Sequence, residues 1–468
     1  MRADTALLLL GHGSTLNADS SAPTYQHAEE IRRRGSFAEV EVAFWKEEPN
    51  FRQALRQTRC RRVYVVPNFI SSGYFTEQII PRELGLTGAV TRLAGQEIIS
   101  CDPVGLHPAM TEALLGRARE VVAQSRESIE CPAQTACLFI CGHGTSFNDN
   151  STKIIHEQAA AIRALGLFAD CQPVLMEQKP FVKEWRTLTS CPDVIVVPFF
   201  IADGLHSFED IPVLLGLTPD IKARSFQNPH HEANRRLWYA TAIGTEKFIA
   251  DVILEQVWQA AKLHPEETNP VSRNFPPADE ISAYLAAIPL PAQIGQILIE
   301  PGFVLRHVED RTASDLRKLS SPADLRELIR LDAQGNFRPL RAAPDLRRGW
   351  IHEAGDAAGL RLALDYLYPG EVADALAWKK HQLPFTPWPE TAGRQTGRFR
   401  IVRQIDETEL SELVTTYCER GCLKQRLWVP AAEAVQTQEN EIPLLCPEAC
   451  NFLVAKAREK LKGPGEEE

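Results

Sequence analysis

Three side chains in the first half of the chain, His143, Glu177 and His206, offer two imidazoles and a carboxylate. That donor set suits a divalent first-row metal such as cobalt, iron or nickel. Imidazole also exchanges protons near neutral pH. Each side chain follows an apolar run, in "ACLFICGHG", "CQPVLME" and "VIVVPFFIADGLH". Parallel sheets place ligands in the crevice beyond the carboxyl ends of their strands. If the first of these strands lies between the other two, a strand spacing of about 4.8 Å brings all three groups within reach of one ion or ring centre.

A second group stands near the C-terminal end. "YCERGC" contains Cys418 and Cys422, and "CPEAC" contains Cys446 and Cys450. Four thiolates in two close pairs can hold an iron–sulfur cluster, can hold zinc, or can be buried thiols. The proline after Cys446 and a helix over "PEACNFLVAKAREKL", whose N-terminal end favours negative charge, point to a [4Fe–4S] cluster with zinc as the runner-up. The other cysteines among the 11 read as small buried hydrophobes.

The elements that position these groups occur twice. "GHG" appears at Gly11 to Gly13 and again at Gly142 to Gly144, 131 residues later. The same offset relates Pro49 to Pro180, Val65-Val66-Pro67 to Val196-Val197-Pro198, Gly73 to Gly204, and the two "LGLT" runs. Roughly a third of the positions from Leu8 to Thr87 are identical under this shift, which means duplication. Each copy alternates apolar strands with amphipathic helices, so an α/β class with parallel, doubly wound sheets is expected. At the three chemical positions the first copy has His12, Lys46 and Phe75, so only the second copy carries the full set.

Domain boundaries are expected at 1–130 and 131–263 for the repeats. A linker and arginine-rich domain is expected over 264–360, and the cysteine-rich domain over 361–468. "HPEETNPVSRNFPPADE" has linker composition. A net charge of −10 in 468 residues argues against nucleic acid as a general partner. "ALLLL" is far shorter than the roughly 20 apolar residues of a membrane span. With no basic region and cleavage site before it, a cytoplasmic location is expected.

These residues resemble the class II sirohydrochlorin chelatases, which insert cobalt or iron during cobalamin and sirohaem synthesis. The resemblance covers about residues 5–260 and rests on Gly142-His143-Gly144-Thr145, Glu177, "GLHSFEDIP" from Gly204 to Pro212, and "GLHP" from Gly105 to Pro108. It implies two domains facing across a cleft that holds a tetrapyrrole, with two smaller domains appended. His143 and His206 would bind the metal and accept pyrrole protons, with Glu177 assisting, and no ATP is implied. His12, His107 and Thr145 are the substrate contacts expected from it. Two-repeat members often keep the working histidines in the first half, whereas here the second half has them. The C-terminal part resembles the stabilising and iron–sulfur modules of some longer relatives. The resemblance leaves open a carrier or redox-sensing role and an electron-transfer partner, and the duplication favours a monomer.

Overall fold

The computed structural model describes residues 4–14, 17–58, 60–93, 95–125, 134–144, 150–204, 206–218, 226–265, 283, 285–330, 346–371, 374, 386–419 and 448–462. The proline-rich stretch at 266–282 and the predicted sites Thr145, Cys422 and Cys446 lie outside these residues. The chain forms two compact units. The first comprises Met1–His12, Asp19–Val42 and Cys60–Pro270, and the second comprises Gly13–Ala18, Ala43–Arg59 and Val271–Glu468.

In chain order the first repeat consists of β1 (Thr5–Gly11), α1 (Ala22–Arg34), β2 (Glu39–Phe44), α2 (Phe51–Gln57), β3 (Arg62–Pro67), α3 (Ile80–Leu84), β4 (Val90–Leu93), β5 (Gln96–Ser100) and α4 (Met110–Ala123). The second consists of β6 (Ala136–Gly142), α5 (Asn150–Ala164), β7 (Asp170–Leu175), α6 (Trp185–Leu188), β8 (Asp193–Pro198), α7 (Ile211–Leu215), β9 (His230–Glu232), β10 (Arg235–Tyr239) and α8 (Ile249–Leu263). Strand orders are β2-β1-β3-β5-β4 and β7-β6-β8-β10-β9, one topology used twice. The continuous apolar runs of β1 and β6 are buried over their whole length, as central strands covered on both faces must be.

The sheets differ from the all-parallel expectation at one edge. β4 runs antiparallel to β5, and β9 antiparallel to β10. In the second copy only Ala233 and Asn234 connect the two strands, both with positive φ. A two-residue connection can only reverse the chain, whereas a parallel partner needs a crossover of a dozen or more residues.

The repeats meet within the first unit through helices. His27 Nε2 of α1 lies 2.8 Å from the Gly244 carbonyl, and Gln256 of α8 donates to the carbonyls of Asp102 and Pro103. Arg117 of α4 pairs with Glu246 at 3.1 Å.

The second unit contains a third sheet: β11 (Ala292–Ile294), β12 (Ile297–Glu300), β13 (Val304–His307), β14 (Arg317–Leu319) and β15 (Trp350–Glu353), in the order β11-β12-β13-β15-β14. The helix Ala357–Leu367 follows, its first turn capped by Asp356, which accepts a hydrogen bond from Gly359 N at 2.7 Å. This helix corrects the expected boundary at 360. The helix runs unbroken through that residue and buries Leu360, Ala363, Leu364 and Leu367, and Tyr368 just beyond it accepts from Gln296 N at 2.8 Å. Composition changes there, but the packing does not. In the same unit α2 joins this part of the chain, because Gln53 and Arg56 both donate to the Asp374 carboxylate.

Candidate metal-handling site and cysteine module

β6 lies between β7 and β8, with Cys137–Gly142 opposite Asp170–Leu175 and Ala136–Cys141 opposite Asp193–Pro198. The three strands therefore end at one level. His143 is the first residue past β6 and Glu177 the second past β7, where its backbone N–H donates to the His143 carbonyl at 3.0 Å. After β8 the chain turns and enters a wide helical turn, His206–Asp210, that leads into α7. That turn is anchored from β10: the buried Tyr239 hydroxyl donates to the Ser207 carbonyl at 2.5 Å. Asp203 accepts from Ala242 N at 2.7 Å, and its burial raises its carboxyl pKa above the usual range.

The two glycines around His143 have structural duties. A Cβ at Gly142 would sit 1.9 Å from Ile155 Cδ1 of α5, and Gly144 has φ +69°, a backbone state that side chains disfavour. The histidine between them is thus delivered by a tight turn in which Gly144 takes a backbone state that favours glycine and Gly142 leaves room for the Ile155 side chain.

His143 and His206 meet edge to face, with ring centroids 4.8 Å apart and planes at 74°. Glu177 Oε1 lies 3.6 Å from His143 Nε2. His206 Nδ1 lies 2.7 Å from Asp210 Oδ2; Asp210 is not among the residues expected from the sequence, although a His-x-x-x-Asp spacing suits such a contact on one helical face. Among the described residues no three His, Cys, Asp or Glu side chains converge as a finished metal cage. The group is an open imidazole pair with a carboxylate at its side, and 59% of the Glu177 side chain faces solvent.

The first repeat gives the same geometry without the chemistry. His12 is exposed and packs edge to face on Phe75 with ring centroids 4.8 Å apart, so Phe75 takes the place that His206 has in the other copy. Lys46, the counterpart of Glu177, belongs to the second unit, where its Nζ lies 3.9 Å from the centre of the Phe399 ring. Burial and the neighbouring Arg398 and Arg458 bring its pKa down to about 7.

His107 does not join the site. It is 4% exposed, its Nδ1 accepts from Ala109 N, and its Nε2 lies 3.2 Å from the Gln259 amide. With both ring nitrogens engaged inside the fold it is a packing histidine, and the expected substrate contact is corrected on that ground. In the arginine-rich domain two arginines are paired with carboxylates, Arg326 with Glu47 and Arg348 with Glu309.

Of the four predicted cluster ligands, Cys418 and Cys450 are described. Both are half-buried, and both pack against one hydrophobic cluster that includes Trp388, Phe399, Val402, Leu410 and Leu453. Their neighbours Tyr417 and Phe452 touch ring to ring, with centroids 5.6 Å apart. One cysteine from each pair thus reaches the same apolar wall, and Cys450 directly precedes the helix Asn451–Lys462. A half-buried apolar setting at a helix N-terminus fits an anionic cluster held by thiolates.

A doubly wound α/β domain used twice, with imidazoles at the strand ends of one copy, defines a chelatase-like protein. The CbiX family model matches residues 6–121 and again 137–260, so the chain belongs to the CbiX family. Residues 289–379 match the DR2241 stabilising domain, and residues 380–459 match the 4Fe-4S iron-sulfur cluster binding domain. These matches support the iron–sulfur module and give zinc no support.

The chain is 43% identical over 272 residues to the probable sirohydrochlorin cobaltochelatase of Halobacterium salinarum, covering 54% of this chain and 91% of that protein. It is 27% identical over 141 residues to the sirohydrochlorin cobaltochelatase of Methanopyrus kandleri, covering 25% of this chain and 98% of that one. Among solved structures it resembles DR2241 from Deinococcus radiodurans, with a TM-score of 0.78, 28% identity, and coverage of 98% of this chain and 100% of that one. That structure is described as a multi-domain protein with structural similarity to chelatases and two additional novel domains. Among the described residues no helix is long and apolar enough to cross a membrane.

Proposed function

We propose that the chain is an ATP-independent chelatase that inserts Co²⁺ or Fe²⁺ into sirohydrochlorin or a close relative. The observation that carries this reading is the His143–His206 pair, ring centroids 4.8 Å apart, set beside its own duplicate in which Phe75 replaces the second imidazole. The duplicate keeps the fold and the ring contact but offers one imidazole instead of two. The second imidazole is therefore not what the fold needs.

The chemistry balances simply. A divalent ion replaces two pyrrole N–H protons, giving the metallated ring and two protons. His143 and His206 hold the ion on one face of the ring through soft-to-borderline nitrogen donors. Glu177, largely in solvent, takes part in moving the released protons to water. An open pair suits an ion that must leave for the macrocycle, because each further protein ligand would hold it back. His12 on Phe75 is read as a wall of the substrate site, and Thr145 as a contact to the substrate.

Cys418, Cys422, Cys446 and Cys450 are the proposed ligands of the [4Fe–4S] cluster. When bound, the cluster supplies one-electron chemistry, and an electron-transfer partner would draw on it. The domain division proposed is two chelatase repeats, a stabilising domain and the cluster domain, in a cytoplasmic monomer. The names of the relatives speak for a chelatase, and neither of them speaks for a carrier or a redox sensor.

The test is optical. Anaerobic protein is mixed with sirohydrochlorin and Co²⁺, and the chromophore is followed. His143→Ala and His206→Ala should each lower the insertion rate by at least about 100-fold, in the range expected when a positioned acid–base group is removed. Rates equal to wild type in the double variant would refute the site.

A further inference from the structure

We propose that Asp210 is the positioning residue for His206, fixing its tautomer so that Nε2 presents the lone pair to the metal. The inference rests on the reading of His143 and His206 as the metal-handling pair. Asp210 Oδ2 lies 2.7 Å from His206 Nδ1. A carboxylate can only accept, so Nδ1 carries the hydrogen and Nε2 is left as a donor to metal. Histidines that bind metals commonly give their other N–H to such a partner, which sets the ring's orientation and raises its basicity.

The blander role for an aspartate at this place is to cap a helix. Asp210 is the residue before α7, yet its side chain makes no capping hydrogen bond there. The duplication supplies the control. The first repeat forms the same wide turn, Phe75–Ile79, followed by the same Ile-Pro entry into its short helix, α3. At the positions of His206 and Asp210 it has Phe75 and Ile79. The turn therefore forms without the aspartate, and where the imidazole is absent the carboxylate is absent too. Two members of a working dyad that differ together between the copies are what a positioning role requires. A purely structural aspartate would be needed in both.

The experiment uses full-length protein with ¹⁵N-labelled histidine. Long-range ¹H–¹⁵N correlation, at a pH where imidazoles are neutral, reads the His206 tautomer directly. Wild type should show the Nδ1–H form. Asp210→Ile, the residue the first copy uses in the same turn, should revert His206 to the Nε2–H form that free imidazole side chains prefer. It should also weaken Co²⁺ binding by about 10- to 100-fold. Asp210→Asn retains an acceptor and should fall between the two, which guards against a folding defect in the isoleucine variant. An unchanged tautomer and unchanged Co²⁺ affinity in Asp210→Ile would overturn the inference. If His206→Ala itself binds Co²⁺ like wild type, the site reading fails instead, and the tautomer measurement still decides the role of Asp210.

Discussion

His27 should make the contact between the two repeats acid-labile. It lies on α1, is 3% exposed, and its Nε2 is 2.8 Å from the Gly244 carbonyl of the second repeat. Burial lowers its pKa from 6.5 to about 4, outweighing the bond to the Gly244 carbonyl, which acts in the opposite direction. In the unfolded chain the same imidazole takes a proton near pH 6.5. Below that value the unfolded state binds a proton that the folded state refuses, so stability falls with falling pH. The loss begins near pH 6.5 and levels off near pH 4, where the folded state is protonated as well. At 1.36 kcal/mol per pH unit, acidification from pH 7 to pH 4.5 costs roughly 2–3 kcal/mol through this one residue.

His27→Gln keeps an N–H that can reach the Gly244 carbonyl but does not titrate in this range. Urea unfolding of wild type and variant across that pH range, followed by hydrogen exchange in α1, isolates the effect, because the carboxylates common to both proteins cancel in the difference. The two stability curves should converge toward acid, with wild type falling more steeply by the stated amount. Parallel curves would refute the argument and mean that His27 is hydrated or already protonated in the fold.

Gly142→Ala should destabilise the second repeat by about 1–3 kcal/mol, since its Cβ would lie 1.9 Å from Ile155 Cδ1. Ile155→Val removes that atom at a cost of about 0.5–1.5 kcal/mol, so the double variant should lose clearly less than the sum, as a double-mutant cycle would measure. Cys418→Ser and Cys450→Ser should each strip iron and visible absorbance from anaerobically purified protein while leaving the His143–His206 pair able to bind Co²⁺. Full iron and sulfide content in either variant would exclude that cysteine as a ligand.

The asymmetry of the two copies was legible from the chain alone because duplication provides an internal alignment. Once the offset of 131 residues is seen, Lys46 against Glu177 and Phe75 against His206 can be read off directly. The same alignment aligned Ile79 with Asp210, and the His-x-x-x-Asp spacing suits such a contact on a helical face, but spacing alone does not say that these residues share a helical turn. That required the wide turn His206–Asp210 and the 2.7 Å contact it produces. The error at His107 has the same origin. Its "GLHP" setting resembles a site motif, yet the side chain is taken inward by Ala109 and by Gln259, which lies 152 residues away.

The sequence by itself determined the parallel strands, the helices between them, the duplication, and which copy holds two imidazoles and a carboxylate. These follow from local patterns: apolar runs too continuous for an exposed edge, glycines where a side chain would strain or clash, and identity at a fixed offset. Tertiary structure decided the rest. It put β6 between β7 and β8 so that residues 63 positions apart touch, turned one edge strand antiparallel, and withdrew His107 into the fold. It also kept the helix Ala357–Leu367 whole across a change in composition. The physical reason is common to all but the edge strand, whose direction follows from its two-residue turn at Ala233 and Asn234. Which side chains meet depends on burial and hydrogen bonding between segments far apart in the chain, and local propensity carries no record of those partners.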